Sequence, residues 1–126
     1  MSNSKIPNNK QSFDLSERTS KFGEETIKFS KKISENFITK PVISQLVRAG
    51  TSVGANYCEA DNAESRKDFI HKIGICKKES RETMHWLRMT VVASPTLRDE
   101  ARTLWQEAKE LNLIFNAIVR SSRSRK

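Results

Sequence analysis

The C-terminal stretch constrains the fold most tightly. Leu97, Ala101, Leu104, Ala108, Leu111, Phe115 and Ile118 follow one another at alternating spacings of four and three. An α-helix gathers positions so spaced onto one face, whereas a strand would scatter them over two. A long helix with one apolar seam is not stable alone and needs other helices against that seam. Asp99 and Glu100 stand near its N-terminus and Arg120 near its C-terminus, the order the helix dipole favours.

The same spacing recurs upstream. Leu15, then Phe22, Thr26, Phe29, Ile33 and Phe37, form a heptad seam that predicts a first helix from about Ser16 to Phe37, capped by Asp14 or Ser16. Pro41 suits the first position of a second helix, where no amide hydrogen is needed. That helix carries Val42, Leu46, Gly50, Val53 and Tyr57 on one face and ends near Ala60 to Asn62. Ser65, with Asp68 three residues on, is an acidic version of the capping box. It starts a third helix whose inner face is Phe69, Ile73, Cys76, Ser80, Thr83, Leu87 and Val91, running to Val92 or Ala93. The fourth follows Ser94-Pro95-Thr96 and is capped either by Ser94 with Pro95 in the first turn or by Thr96 with Asp99.

Four helices of roughly 20–28 residues with short connections predict an all-α, antiparallel up-down-up-down four-helix bundle. The chain of 126 residues fits one domain, and its three prolines, four glycines and lack of Asn-Gly or Asp-Gly pairs argue against an all-β fold. The expected organisation is a mobile leader over residues 1–13, the bundle over 14–119, and a disordered basic tail over 120–126.

All four glycines fall within predicted helices, at a cost of about 1 kcal/mol each relative to alanine. Gly50 and Gly54 lie one turn apart. With Gly74, Cys76 and Ser80 on the third helix, they predict a close approach of the second and third helices. Arg48, Ser52, Asn56 and Glu59 share one side of the second helix, and Glu79 and Glu82 edge the face of the third. These positions allow a salt bridge from Arg48 to Glu79 or Glu82, with an ordinary solvated face as the alternative. Cys58 and Cys76 are expected to be buried thiols serving as small hydrophobes. With no signal peptide and no run long enough to span a bilayer, the expected location is the cytoplasm.

The net charge is +8. Arg66, Lys77, Arg81 and Arg88 lie within roughly 60° of one another on the third helix. Arg120, Arg123, Arg125 and Lys126 make the last seven residues basic without an acid among them. Both features suit a phosphate backbone, because neutralised phosphates release counterions. Each also has a plainer explanation, a solvated helix face and a solubilising terminus.

The stretch RAGTSVGANYCEA and the stretch RKDFIHKIGICKKESRETMHWLRM resemble the 23S rRNA-intervening-sequence protein family of small bacterial four-helix bundles. The matching residues are Arg48-Ala49, Ser52-Val53, Ala55-Asn56 and Glu59, then Lys67-Asp68-Phe69-Ile70, Ser80, Glu82, Thr83 and Leu87. Two departures stand out. Ala60 and Asp61 follow the glutamate where the family usually has glycine, and Lys77, Lys78 and Glu79 precede Ser80 where it tends to have alanine and glycine. The resemblance implies a ring-like homo-oligomer, often a homopentamer, without catalytic activity. It also implies kinship with the accessory protein of diversity-generating retroelements, which binds nucleic acid and a reverse transcriptase.

Enzymatic alternatives are thin. Arg66 and His71 have the spacing of HEPN-type ribonucleases, in which an arginine binds the scissile phosphate and a histidine acts as general acid or base. Lys67 stands where a short polar residue is usual. His71 and His85 are about 21 Å apart along one helix and cannot share a metal within a subunit. Glu82 to His85 is one copy of a motif that di-iron bundles use twice. No phosphate-binding loop, nucleophile elbow or cofactor motif occurs. Trp86 and Trp105 are candidates for base stacking, with partial burial the plainer expectation for Trp105. The sequence thus predicts a non-enzymatic, self-assembling scaffold or adaptor. Its expected partners are copies of itself and RNA or DNA, with no membrane, no small-molecule substrate and no cofactor. A HEPN-like ribonuclease and a pure protein-interaction module are the alternatives.

Overall fold

A computed structural model describes the backbone of residues 7–124 and the side chains of residues 15–123. Four α-helices follow in order: α1 (Pro7–Ser30), α2 (Thr39–Asp61), α3 (Arg66–Ala93) and α4 (Arg98–Ser124), with a 3-10 turn at Pro95–Leu97 leading into α4. Paired contacts fix their directions. Thr26 and Thr19 of α1 face Gly50 and Gly54 of α2. Arg48 and Glu59 of α2 meet Glu79 and Lys72 of α3. Arg66 and Ser80 of α3 meet Ser122 and Asn112 of α4. Arg18 and Lys32 of α1 meet Glu107 and Glu100 of α4. In each pair one number falls as the other rises, so each helix runs antiparallel to both of its neighbours.

The predicted seams make the core. Phe22, Leu46, Ile73, Leu87, Leu111 and Phe115 are its largest fully buried apolar side chains. Thr19, Thr26, Thr83 and Thr90 are buried with them. Each donates its hydroxyl to the carbonyl four residues back, at 2.7–2.8 Å, so burial leaves none of these hydroxyls unpaired. Asn112 of α4 donates to the Lys77 carbonyl at 2.8 Å and to Ser80 Oγ at 3.1 Å, which sets the register of α3 against α4.

Several boundaries differ from expectation. Helix α1 starts at Pro7, so neither Asp14 nor Ser16 caps it, and it stops at Ser30 rather than Phe37. The Asn36 side chain accepts from the amides of Ile38 and Thr39, while Thr39 Oγ1 accepts from the Asn36 amide and donates to the Ser34 carbonyl. These local bonds compete with further helix. They leave Phe37 86% exposed although it continues the heptad, while Ile33 still reaches the core. Helix α2 consequently begins at Thr39, two residues before Pro41. Ser65 caps α3 as predicted, accepting from the Asp68 amide at 3.0 Å. Pro95 opens the 3-10 turn after Ser94, and Ser94 makes no side-chain cap bond there.

At the ends of the chain, residues 1–6 of the expected leader lie outside the described residues, and residues 7–13 are helical. Residues 120–124 of the expected tail continue α4. Val119 is anchored in the core and Arg66 Nη2 donates to the Ser122 carbonyl at 2.6 Å, supplying a partner that a terminal carbonyl lacks within its own helix.

The small residues join a different pair of helices from the one expected. A Cβ at Gly50 would lie 2.6 Å from Thr26 Cγ2, and one at Gly54 would lie 3.1 Å from the Thr19 carbonyl oxygen. The close approach is thus α1 to α2, and a Cβ at Gly74 would meet nothing within 4 Å. Cys76, whose Sγ lies 3.5 Å from the Val53 carbonyl oxygen, serves the α2–α3 contact as foreseen. Its partner in the sequence reading, Cys58, is exposed, because Tyr57 takes the inward position on that turn.

Candidate nucleic-acid interface

The α3–α4 register carries the chemistry of this surface. With Asn112 opposite Ser80 and α4 starting directly after a one-turn connection, the end of α3 lies beside the start of α4. That places Arg88 across a groove from Arg98 and Arg102. The groove has a volume of about 430 Å³. Its floor is Leu87 and Ala101, both core residues, and its walls include Val91, Val92 and Trp105. No carboxylate lines it, and Gln106 contributes an amide at one end. Lys109 Nζ sits 5.5 Å from the centre of the Trp105 ring, within cation–π range.

The arginines around this groove differ from those of α1 and α2. Arg18 on α1 forms a two-pronged contact with Glu107, at 2.7 and 2.9 Å, and also reaches Glu110. The hydrogen bond to Glu107 leads the effects that raise its pKa, so it stays charged at any ordinary pH. Arg48 on α2 meets Glu79 at 3.0 Å and Glu82 at 2.5 Å. Burial works against the charged guanidinium there, but the hydrogen bonds and charges of the two glutamates outweigh it and raise the pKa. Arg81, Arg88, Arg98 and Arg102 are exposed, and none has an ion pair among the described residues. Arg81 lies two turns from Arg88 on α3, about 10 Å along the axis.

A larger groove, about 700 Å³, separates α1 from α4 over Phe22, Phe29 and Leu104. Its rim holds both signs: Arg18 pairs with Glu107 and Lys32 with Glu100 across it, Lys28 pairs with Glu25 within α1, and Lys21 has no ion pair among the described residues. A rim with three paired carboxylates and one unpaired cation offers less to an anion than the three arginines of the smaller groove, which have no ion pair among the described residues.

The predicted site residues fall into separate places. Arg81 and Arg88 lie on the open basic surface. Lys77 is half-buried one turn before Arg81, with its carbonyl engaged by Asn112. Arg66, expected in the same stripe, reaches the end of α4. Arg120 and Arg123 are exposed on the last turns of α4, while Arg125 and Lys126 lie outside the described residues. The polar set on α2 is brought together along the α2–α3 seam. Arg48 spans to Glu79 and Glu82, Asn56 donates to the Ser52 carbonyl, and Glu59 takes the Lys72 ammonium at 2.5 Å. The hydrogen bond to Glu59 raises the Lys72 pKa. Arg98, Arg102 and Gln106 were not singled out, and Trp105 only as a base-stacking candidate. These four lie together on the first turns of α4. Spacings of four and three place Arg98, Arg102 and Trp105 on one helix face, yet nothing in the sequence says that Arg88 stands opposite.

The two residues of the ribonuclease alternative, Arg66 and His71, both lie on the first turns of α3. Residues five apart on a helix point about 140° from each other, and Arg66 is engaged at Ser122. His71 is exposed, and His85 packs edge-on to Trp86. Among the described residues, no three His, Cys, Asp or Glu side chains are placed to hold a metal ion. No described helix is long and apolar enough to cross a membrane.

A family model described as the 23S rRNA-intervening sequence protein matches residues 11–117. The chain belongs to that family. Among solved structures it resembles a protein of unknown function from the S23 ribosomal protein family of Bacteroides thetaiotaomicron, with 27% identity and a TM-score of 0.74 over 86% of this chain and 97% of that one. No curated protein matches it. Within this member of the 23S rRNA-intervening sequence family, the residues that carry the resemblance are divided between the core and the surface. Ala49, Val53, Ser80, Thr83 and Leu87 are buried, and Glu82 pairs with Arg48. The arginine-lined groove takes Leu87 and Arg88 from that segment and the rest of its lining from the end of α3 and from α4.

Proposed function

We propose that this protein is a non-enzymatic, self-assembling scaffold that binds RNA or DNA through the basic surface of α3 and α4. One observation carries the reading: Arg81, Arg88, Arg98 and Arg102 face solvent without a carboxylate partner among the described residues, whereas Arg18 and Arg48 are both paired. Arginines without a partner are available to phosphates, which they grip through two parallel hydrogen bonds. Family membership supports self-association into a homo-oligomer, for which a pentamer is the stoichiometry the resemblance implies. Phe37, Ile38 and Leu113 leave large apolar side chains in water that an assembly would cover.

The test is nucleic-acid binding followed by fluorescence anisotropy between about 50 and 200 mM salt. Affinity for mixed-sequence RNA and DNA is expected to fall steeply with salt. Replacing Arg81, Arg88, Arg98 and Arg102 with glutamine is expected to weaken binding and flatten that slope by several units, at about 0.9 per lost duplex phosphate contact. No binding at the low-salt end, or an unchanged slope in the quadruple variant, refutes the proposal. Sedimentation equilibrium of the wild type tests the assembly separately, and a monomer at all concentrations removes the scaffold.

A further inference from the structure

We infer that the α3–α4 groove seats an unstacked base of a single-stranded nucleic acid, with Arg88, Arg98 and Arg102 holding the phosphates on either side. This deepens the function proposed above and rests on it. Three features of the groove point to a strand with splayed bases. Its floor and walls are apolar, with Leu87 and Ala101 below and Val91, Val92 and Trp105 around. Val92 is 75% exposed, an apolar wall left in water. The charges at the rim are all positive.

A duplex can use only part of this. Its bases are stacked and paired, so it offers phosphates to the arginines and leaves the apolar floor uncovered. A single strand offers both, since an unpaired base can leave the stack and lie against an aromatic or guanidinium plane. Trp105 supplies the indole face and Gln106 a donor and an acceptor for a base edge. An acidic peptide would satisfy the arginines but has no flat ring for Trp105. The larger α1–α4 groove shares the apolar floor but sets three carboxylates among its cations and leaves only Lys21 without an ion pair among the described residues, so an all-positive rim over an apolar floor distinguishes the α3–α4 groove from it.

The chain has two tryptophans, so Trp86→Phe leaves Trp105 as the only indole and its emission as a direct reporter. This variant is titrated with a single-stranded DNA of about 12 nucleotides, a hairpin duplex of the same composition, and poly-glutamate of equal charge. The strand is expected to quench Trp105 and to bind about 10-fold tighter than the duplex, which leaves the emission unchanged. Trp105→Leu, checked for retained helicity, is expected to lose about 10-fold in affinity for the strand and less than about 2-fold for the duplex. Arg98→Gln with Arg102→Gln is expected to weaken both. If strand and duplex bind equally with Trp105 emission unmoved, the groove assignment falls while the basic-surface function stands. If neither binds at low salt, both fall. Equal quenching by poly-glutamate assigns the groove to protein carboxylates and also overturns the inference. The quench uses unaltered Trp105, so it decides the question even if Trp105→Leu fails to fold.

Discussion

Replacing glycine with alanine at positions 50 and 74 isolates packing from helix propensity. Both residues lie in helix interiors, so each substitution gains about 1 kcal/mol of propensity. At Gly74 nothing opposes that gain, because the new methyl meets no atom within 4 Å. Gly74→Ala is therefore expected to stabilise by about 0.5–1 kcal/mol. At Gly50 the methyl would stand 2.6 Å from Thr26 Cγ2, 2.7 Å from Oγ1 and 2.9 Å from Cβ. Carbon atoms rest at about 3.5–4.0 Å, so the overlap approaches 1 Å. Thr26 is stiff at χ1, fully buried, and tied by its hydroxyl to the Phe22 carbonyl at 2.8 Å. Rotating it would orphan a buried hydroxyl, and separating α1 from α2 would lift Gly54 off the Thr19 carbonyl. Overpacking of this kind costs about 1–3 kcal/mol, more with a lost hydrogen bond. Gly50→Ala is thus expected to be net destabilising by about 1–2 kcal/mol, roughly 2–3 kcal/mol apart from Gly74→Ala.

Urea denaturation followed by far-UV circular dichroism, at one protein concentration, gives both values. Adding Thr26→Ala to Gly50→Ala removes two of the three clashing atoms, and the pair is expected to be less destabilised than the sum of the single changes by about 1 kcal/mol. Equal stabilisation by Gly50→Ala and Gly74→Ala would refute the α1–α2 contact.

Three further outcomes follow from the same geometry. Arg48→Met leaves Glu79, only 7% exposed, without its cation; the expected loss is about 2 kcal/mol, between the exposed-pair and buried-pair extremes, whereas Glu82→Gln at the open edge costs under about 0.5 kcal/mol, both read by urea denaturation. Near neutral pH a thiol reagent is expected to label exposed Cys58 at once and buried Cys76 only on unfolding, and stoichiometric labelling of two thiols in the folded state contradicts this. Burial pushes the Cys76 thiol up to about 12 from its ordinary 9.0, so its contribution to stability is full below about pH 9 and is lost as pH rises toward 12; wild type is expected to lose stability faster than Cys76→Ala over that window, by up to about 1.4 kcal/mol per pH unit.

Periodicity revealed the helices because burial of one face is a property of one segment at a time. Leu104, Ala108, Leu111 and Phe115 are buried as their spacing requires, and so are Phe22, Thr26 and Phe29. The failures occur where a local bond outcompetes the pattern or where two helices must be set against each other. Phe37 keeps the heptad but lies beyond the end of α1 at Ser30, next to Asn36, whose side chain captures two amides at the entry to α2. Gly50 and Gly54 announced a close approach without naming the partner, since any helix can use the space a missing Cβ leaves. The Arg48 salt bridge was legible because opposite charges at core edges constrain one another in known ways, and Glu79 and Glu82 bracket the guanidinium as the spacing required.

The groove between α3 and α4 was not legible for a related reason. Its arginines come from two helices, and their meeting depends on the length of the connection and on one buried amide. Ser94 and the 3-10 turn return the chain within a few residues, so the last turns of α3 and the first turns of α4 are obliged to be neighbours. Asn112, donating to Lys77 and Ser80, then fixes the axial register. A slip by one helical turn would move α4 by about 5.4 Å and carry Arg98 and Arg102 away from Arg88. The basic surface therefore depends on a polar contact several turns distant from it. Asn112→Leu would keep the number and branching of the side-chain heavy atoms and remove the register constraint, leaving the Lys77 carbonyl in its own helical bond and Ser80 Oγ still donating to it at 2.9 Å. The expected result is a bundle of near-normal helicity whose affinity for nucleic acid falls although no arginine has been touched. Undiminished affinity in that variant would mean that charge alone, and not the spacing of Arg88 against Arg98 and Arg102, governs binding.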